Sequence, residues 1–227
     1  MDSYAKTRER LEHYFDRTAS KTWERLTSDA PVSRIRQTVR EGRDQMRAAM
    51  LARLPDDLSG RRVLDAGCGA GPMTLELVKK GAEVVACDIS QSLLDVAKSR
   101  IPEKYHRQIT FVAGDMLSDR LGSFDYVMAM DSLIHYKAAD IAAALGRLAP
   151  RTRGKIVFTV APKTPLLSVM HVTGKLFPRS DRSPRIIPHA EARIASALRK
   201  AGVKGHLRPV HRVARGFYIS QAMELDP

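Results

Sequence analysis

Nine residues constrain the fold of this chain more than any others: Val63-Leu64-Asp65-Ala66-Gly67-Cys68-Gly69-Ala70-Gly71. Val63 and Leu64 suit a strand buried in a parallel sheet, and Asp65 stands where side chains emerge at the strand's carboxyl end. Gly67, Gly69 and Gly71 allow a tight turn and close approach of a ligand to the backbone, because a Cβ there would stand in the way. Leu75, Leu77 and Val78 then supply the apolar face of a helix that stops at Lys79-Lys80-Gly81. The unit is strand, glycine turn, helix.

Dinucleotide sites use the same unit, with the spacing G-x-G-x-x-G and a helix N-terminus facing a pyrophosphate. Here only Ala70 separates the second glycine from the third, and Pro72 removes an N–H where a phosphate would seek one. A ligand without phosphate fits better. The G-x-G-x-G spacing preceded by Asp65 resembles motif I of the class I methyltransferases, which implies S-adenosylmethionine (SAM) as the methyl donor. Asp65, Gly67 and Gly69 are therefore expected on the cofactor wall.

The next strand, Glu83 to Asp88, is an apolar run ending in an acid roughly 20 residues beyond the glycines, the place of a ribose-binding carboxylate. Asp88 is expected to accept from both ribose hydroxyls, with Ile89 beside it. Strand Ile109–Ala113 ends in Gly114-Asp115-Met116, which looks like the pair that methyltransferases place near adenine. Asp115 would accept from the exocyclic amine and Met116 would pack on the ring; the plainer reading is a capped turn.

Spacing also indicates the architecture. Val32, Ile35, Val39, Met46, Met50 and Leu54 recur at helical intervals, predicting an amphipathic helix over 32–54. Residues 1–30 hold Tyr14, Phe15 and Trp23 among charges and predict one short helix. Further helices are expected at 72–80, 90–100, 138–149 and 188–201, and strands at 61–66, 82–87, 109–113, 124–130, 155–161, 203–210 and 215–222. The alternation predicts an α/β fold, a doubly wound, mostly parallel sheet. Residues 1–58 are read as an N-terminal arm and helix over the site, and 59–227 as the SAM-binding domain with a substrate-side insertion at about 162–188.

Charge is unevenly spread. The net +13 divides into +2 over residues 1–60, zero over 61–150 and +11 over 151–227, which suggests an anionic partner for the last third. The insertion joins an apolar patch (Leu166, Leu167, Val169, Met170, Val172, Leu176, Phe177) to Arg179, Arg182 and Arg185. That combination suits a flat hydrophobic ligand carrying carboxylates, or a membrane face. No apolar run is long enough to span a membrane, and no signal core opens the chain, so a cytoplasmic location with peripheral membrane contact is expected. Cys68 and Cys87 lack metal-ligand spacing and are read as packed thiols near the cofactor site; no protein-bound metal is expected.

After the fourth strand comes Met130-Asp131-Ser132-Leu133-Ile134-His135-Tyr136, where class I methyltransferases face donor and acceptor together. Asp131 is expected toward the cofactor. The Asn/Asp-Pro-Pro-Tyr motif of amino-group methylation is absent, and His135 is placed as a general base or as an orienting group for an oxygen acceptor.

Four stretches, His13 to Leu26, Ser33 to Arg47, the glycine turn and Asp131 to Tyr136, together resemble the magnesium-protoporphyrin IX O-methyltransferase family of bacteriochlorophyll and chlorophyll biosynthesis. The resemblance spans nearly the whole chain. It implies a seven-stranded sheet with the last strand inserted antiparallel, and methyl transfer from SAM to one propionate of magnesium protoporphyrin IX. It also implies an arm that closes over the site, catalytic roles for Tyr14 and His135, and handover from the large porphyrin-binding subunit of magnesium chelatase. Arg34, Arg179, Arg182 and Arg185 are candidates to hold the second propionate. Two other readings stay open at this point: an RNA methyltransferase, and a porphyrin carrier without catalysis.

Overall fold

The computed structural model describes residues 3–16, 34–163 and 184–227, the side chains of 34–36 excepted. Trp23, most of the insertion, Arg179 and Arg182, and the side chain of Arg34 lie outside the described residues.

A sheet in the order β3-β2-β1-β4-β5-β8-β7 organises the molecule. Its first five strands, β1 (Arg62–Ala66), β2 (Glu83–Asp88), β3 (Ile109–Ala113), β4 (Tyr126–Ala129) and β5 (Ile156–Pro162), run parallel. Strand β8 (Tyr218–Asp226) is inserted antiparallel between β5 and β7 (His206–Arg215). A two-residue strand, β6 (Pro188–His189), adds a short parallel pairing to β5. The runs at β1, β2 and β5 are buried apart from Arg62 and Glu83 at the starts of the first two, because helices cover both faces of the sheet.

Three expected boundaries differ. The strands expected at 203–210 and 215–222 form one hairpin that turns at Gly216-Phe217, where Gly216 takes φ +57°. Pro209 sits inside β7, tolerated because β7 is the sheet edge and bulges between Pro209 and His211. The helix expected from 188 begins at Glu191 because Pro188 and His189 pair with β5, the His189 carbonyl accepting from Lys163 N. The long N-terminal helix ends at Leu51, with Leu54 still buried in the turn that follows.

Helices α1 (Ser3–Tyr14), α2 (Arg34–Leu51), α3 (Pro72–Lys79), α4 (Gln91–Arg100), α5 (Ala138–Leu148) and α6 (Glu191–Lys200) complete the layers. Met46, Met50, Leu58, Leu77 and Val157 pack in the core on one face of the sheet. Leu133, Ile141, Leu145, Phe158 and Ile194 pack on the other. Helix α2 carries Gly42 in its middle, where a Cβ would lie 2.7 Å from the Tyr218 ring. The missing side chain lets β8 approach, and Tyr218 is thereby set beside the carboxyl ends of the parallel strands.

Candidate active site

The chain winds one way from β1 to β2 and the other way from β1 to β4, so a crevice opens between their carboxyl ends. A cavity of about 410 Å³ occupies it, within the range of small-molecule sites. The glycine turn forms its floor. Gly67, Gly69 and Gly71 all have positive φ, and a Cβ on Gly67 would lie 2.5 Å from the Ser132 Cβ. At Gly69 the same Cβ would meet nothing within 4 Å. The open side of that turn is the cavity.

Asp65 lies beneath the turn, buried, accepting from Thr74 Oγ1 at 2.6 Å. Burial pushes its carboxyl up to about 7 despite that bond. Asp88 ends β2 on the cavity wall, with one oxygen accepting from Gly69 N at 2.8 Å and the other from Ser90 N at 2.9 Å. Burial raises it to about 6, against the pull of these two bonds. A carboxylate has about four acceptor positions, so Asp88, which the Ile89 backbone N–H also favours, keeps capacity for a further donor. Pro72 occupies the first turn of α3 and presents no N–H. This wall suits a polyol with a cationic end better than a diphosphate.

Cys68 and Cys87 line the same wall as free, buried thiols. Desolvation raises both, Cys87 to about 12, so neither is a nucleophile near neutral pH.

Ile89, Gly114 and Met116 line the neighbouring part of the cavity, but the Asp115 carboxylate does not. Its oxygens accept from Tyr4 Oη at 2.9 Å, Leu117 N at 2.9 Å and Arg8 Nη1 at 2.6 Å. Asp115 is therefore both the capped turn of the plainer reading and an anchor for α1. Tyr4 stacks on Tyr136 with ring centroids 4.8 Å apart, and Leu11, Tyr14 and, just past the helix, Phe15 bring the rest of this segment onto the cavity. Beyond α1, Asp16 accepts from Ser90 Oγ at 2.6 Å.

Across the crevice, Asp131 leaves β4 with φ +56°, unusual for a residue other than glycine. Tyr218 Oη at 3.1 Å, Arg43 Nε at 3.1 Å and Thr159 Oγ1 at 3.2 Å hold its side chain there. Arg43 and Arg47, one turn apart on α2, both line the cavity. Tyr218, Ser220, Arg43, Arg47 and Tyr4 were not singled out by sequence reasoning. The i, i+4 pair of arginines on an amphipathic helix was the available signal; Tyr218 offered none.

His135 ends the 3₁₀ turn Leu133–His135 and lines the cavity opposite the glycine turn. Its Nδ1 lies 3.1 Å from the Arg185 carbonyl. A carbonyl only accepts, so Nδ1 carries the proton and Nε2 is bare in the neutral ring. Burial lowers the His135 pKa, outweighing this hydrogen bond, and keeps the ring neutral near pH 7. Two further bonds stitch the same segment together: Ile187 N to the Ile134 carbonyl at 2.9 Å, and His189 Nε2 to the Tyr136 carbonyl at 2.9 Å. Arg185 thus acts here through its backbone, and its exposed side chain is not on the cavity wall. At the mouth stand Ile186 and Phe217, the exposed large hydrophobic residues among the described ones.

Residues 63–153 match the model of a methyltransferase domain, and residues 129–227 match that of the magnesium-protoporphyrin IX methyltransferase C-terminus. The chain is 57% identical over 225 residues to a magnesium-protoporphyrin O-methyltransferase of Rhodobacter capsulatus, covering 99% of this chain and 98% of that one. The chain belongs to the magnesium-protoporphyrin IX methyltransferase family. A chloroplastic magnesium protoporphyrin IX methyltransferase of Arabidopsis thaliana is 30% identical, over 97% of this chain and 71% of its own. The crystal structure of magnesium protoporphyrin IX methyltransferase from Synechocystis PCC 6803 with bound SAH superposes with a TM-score of 0.79 at 31% identity, covering 96% and 98% of the two chains. Family membership thus agrees with the sheet order and with the phosphate-free glycine turn. Among the described residues no helix is long and apolar enough to cross a membrane, and no group of three or more His, Cys, Asp or Glu is placed to hold a metal ion.

Proposed function

We propose that the protein transfers the methyl group of SAM to one propionate carboxylate of magnesium protoporphyrin IX, giving the monomethyl ester. The observation that carries this is the whole-length 57% identity to a magnesium-protoporphyrin O-methyltransferase. The cavity's chemistry supports it. When bound, SAM supplies an electrophilic methyl on a sulfonium. Asp88 accepts from the ribose hydroxyls, Gly67 and Gly69 cradle the backbone-facing edge, and Ile89 and Met116 flank the adenine. Arg43 and Arg47 face the carboxylate of the methionine end, and Asp131 with Asp65 balances the cationic one. Asp115 acts on the adenine end by fixing α1 over it.

A propionate resembles a glutamate side chain, with a pKa of about 4.3 in water, so the nucleophile is ionised before it arrives. The residues' task is alignment, which supplies up to roughly 7–11 kcal/mol when attacking and leaving atoms are held in line. Neutral His135, with a bare Nε2, takes the proton from any acid that enters protonated, and its ring excludes water from the carboxylate. Tyr14 reaches the cavity from α1 and orients the acceptor. Phe217 and Ile186 meet the macrocycle's apolar face at the mouth, and Arg34, Arg179, Arg182 and, from outside the cavity wall, Arg185 are candidates for the second propionate. Residues 1–58 form the cover and 59–227 the catalytic domain. Delivery by the large subunit of magnesium chelatase and seating on an anionic membrane extend the proposal, supported by the +11 charge of residues 151–227.

Incubation with methyl-labelled SAM and magnesium protoporphyrin IX tests the reaction. Label in an alkali-labile porphyrin ester is expected; none there, or label in added RNA, overturns the reading. His135→Ala is expected to lower turnover at least roughly tenfold while SAM affinity stays within about twofold.

A further inference from the structure

Ser132 opens the 3₁₀ turn that ends in His135. Its backbone is helical, with φ −90° and ψ −35°, rather than the extended conformation from which a serine caps a turn, and its side chain makes no capping hydrogen bond. Its Oγ is buried and has no hydrogen-bond partner among the described residues. Buried hydroxyls without partners are uncommon in native proteins, and each one asks for an explanation.

The position of this hydroxyl narrows the explanation. Ser132 lines the cavity, and its Cβ stands 2.5 Å from where a side chain on Gly67 would begin. It therefore rests on the floor that holds the methyl donor. Side chains three apart on a 3₁₀ turn eclipse one another, so Ser132 and His135 share one face, and both line the cavity. The Oγ lies 3.3 Å from that same Gly67 Cβ position, against the glycine turn, and rotation about the Cα–Cβ bond brings it to the cavity that Ser132 lines.

An ionised carboxylate needs donors, and the neighbouring groups are poor ones. The Nδ1–H of His135 goes to the Arg185 carbonyl, and the bare Nε2 has no proton to offer an anion. Asp131 is itself an anion already held by three side chains. The hydroxyl of Ser132 is a neutral donor beside His135, whereas Tyr14 and Ser220, further hydroxyls of the cavity, come from α1 and β8.

We propose that Ser132 Oγ donates a hydrogen bond to the non-attacking oxygen of the acceptor carboxylate and turns the other oxygen toward the donor methyl. The inference rests on the proposed methyl transfer. The attacking oxygen's lone pair forms the new C–O bond, the S–C bond breaks, and its electron pair stays on sulfur as a neutral thioether. No proton moves, and Ser132 keeps its hydrogen throughout. A neutral donor suits the charge change: the anion becomes an ester whose carbonyl oxygen still accepts from the hydroxyl. A lysine or arginine would instead hold the anion tightly and blunt its nucleophilicity.

Ser132→Ala and Ser132→Cys in the full chain test this, assayed with magnesium protoporphyrin IX at saturating SAM. For Ser132→Ala, kcat is expected to fall about 10- to 100-fold, with SAM affinity by calorimetry within about twofold and the shape of the pH profile unchanged. Its melting temperature is expected to hold or rise, because the hydroxyl removed had no partner. Ser132→Cys, a weak donor of similar shape, is expected to fall between. An unchanged kcat overturns the proposal. So does weakened SAM binding with full kcat, which would give the hydroxyl to the donor, and so does a lost melting temperature in both variants, which would make it structural. Failure of the wild-type protein to form any ester overturns the reaction itself and is told apart by that control.

Discussion

Arg8 Nη1 lies 2.6 Å from Asp115 Oδ2, while Tyr4 Oη donates to the other oxygen of the same carboxylate at 2.9 Å. The acid expected at the adenine is thereby the point where the N-terminal helix is fastened over the cavity. The pair is partly exposed, with Arg8 at 34% and Asp115 at 21%, so it contributes up to about 1 kcal/mol. Arg8→Ala is expected to speed proteolysis within residues 3–16 and to accelerate SAM release by about fivefold, leaving global stability unchanged. Stopped-flow displacement of SAM measures the release rate; an unchanged rate contradicts the loosened cover.

Cofactor affinity should depend on pH through Asp88. Its carboxyl titrates at about 6 because burial raises it, and its protonated form loses an acceptor that the ribose needs. SAM affinity is expected to fall about tenfold per pH unit below that midpoint, measured by calorimetry from about pH 8 to about pH 5. Asp88→Asn should bind weakly throughout and lose the dependence. The sign for folding is opposite: the native state holds this proton more tightly than the unfolded chain, so Asp88's contribution to stability falls as pH rises from 3.8 to about 6.

Two glycines should fail differently. Gly67→Ala places a Cβ 2.5 Å from Ser132 Cβ at φ +80°, and is expected to lower the melting temperature by roughly 4 °C or more as well as weakening SAM binding. Gly69→Ala meets no protein atom within 4 Å and should cost less stability while blocking the cofactor. Thermal melts with and without SAM distinguish them.

Away from the site, Glu224 is fully buried on β8 and pairs with Arg53 at 2.8 Å, Arg208 at 2.5 Å and Lys155 at 3.4 Å. Burial would raise its pKa, but the Arg53 and Arg208 hydrogen bonds prevail and hold it at about 2. Its contribution is present above the ordinary value of 4.5 and is lost as pH falls toward 2. Glu224→Gln is expected to lose about 2 kcal/mol at pH 7, discounted because its partners reach solvent. Urea titrations at neutral and acid pH should show the gap closing.

Asp65, Asp88 and the glycine turn were legible because strand alternation and glycine spacing are local properties of the chain. His135 was legible for the same reason, as a histidine at a strand's carboxyl end. Asp115 was found, but its partners were not, since Tyr4 and Arg8 lie more than 100 residues away. The hairpin was expected too early in the chain because β7 runs on to Arg215 through the bulge between Pro209 and His211, a register set by pairing with β8.

The sequence by itself determined the strand–turn–helix unit, the order of strands and helices, and the carboxylates at strand ends, because backbone preference and side-chain periodicity act over a few residues. The tertiary structure decided which of those groups share one cavity. It spread the Asp131 carboxylate over Tyr218, Arg43 and Thr159, fixed the His135 tautomer through the Arg185 carbonyl, and left Ser132 Oγ uncapped. Each depends on desolvation and on partners brought together by sheet order, and neither is a property of any short stretch of chain.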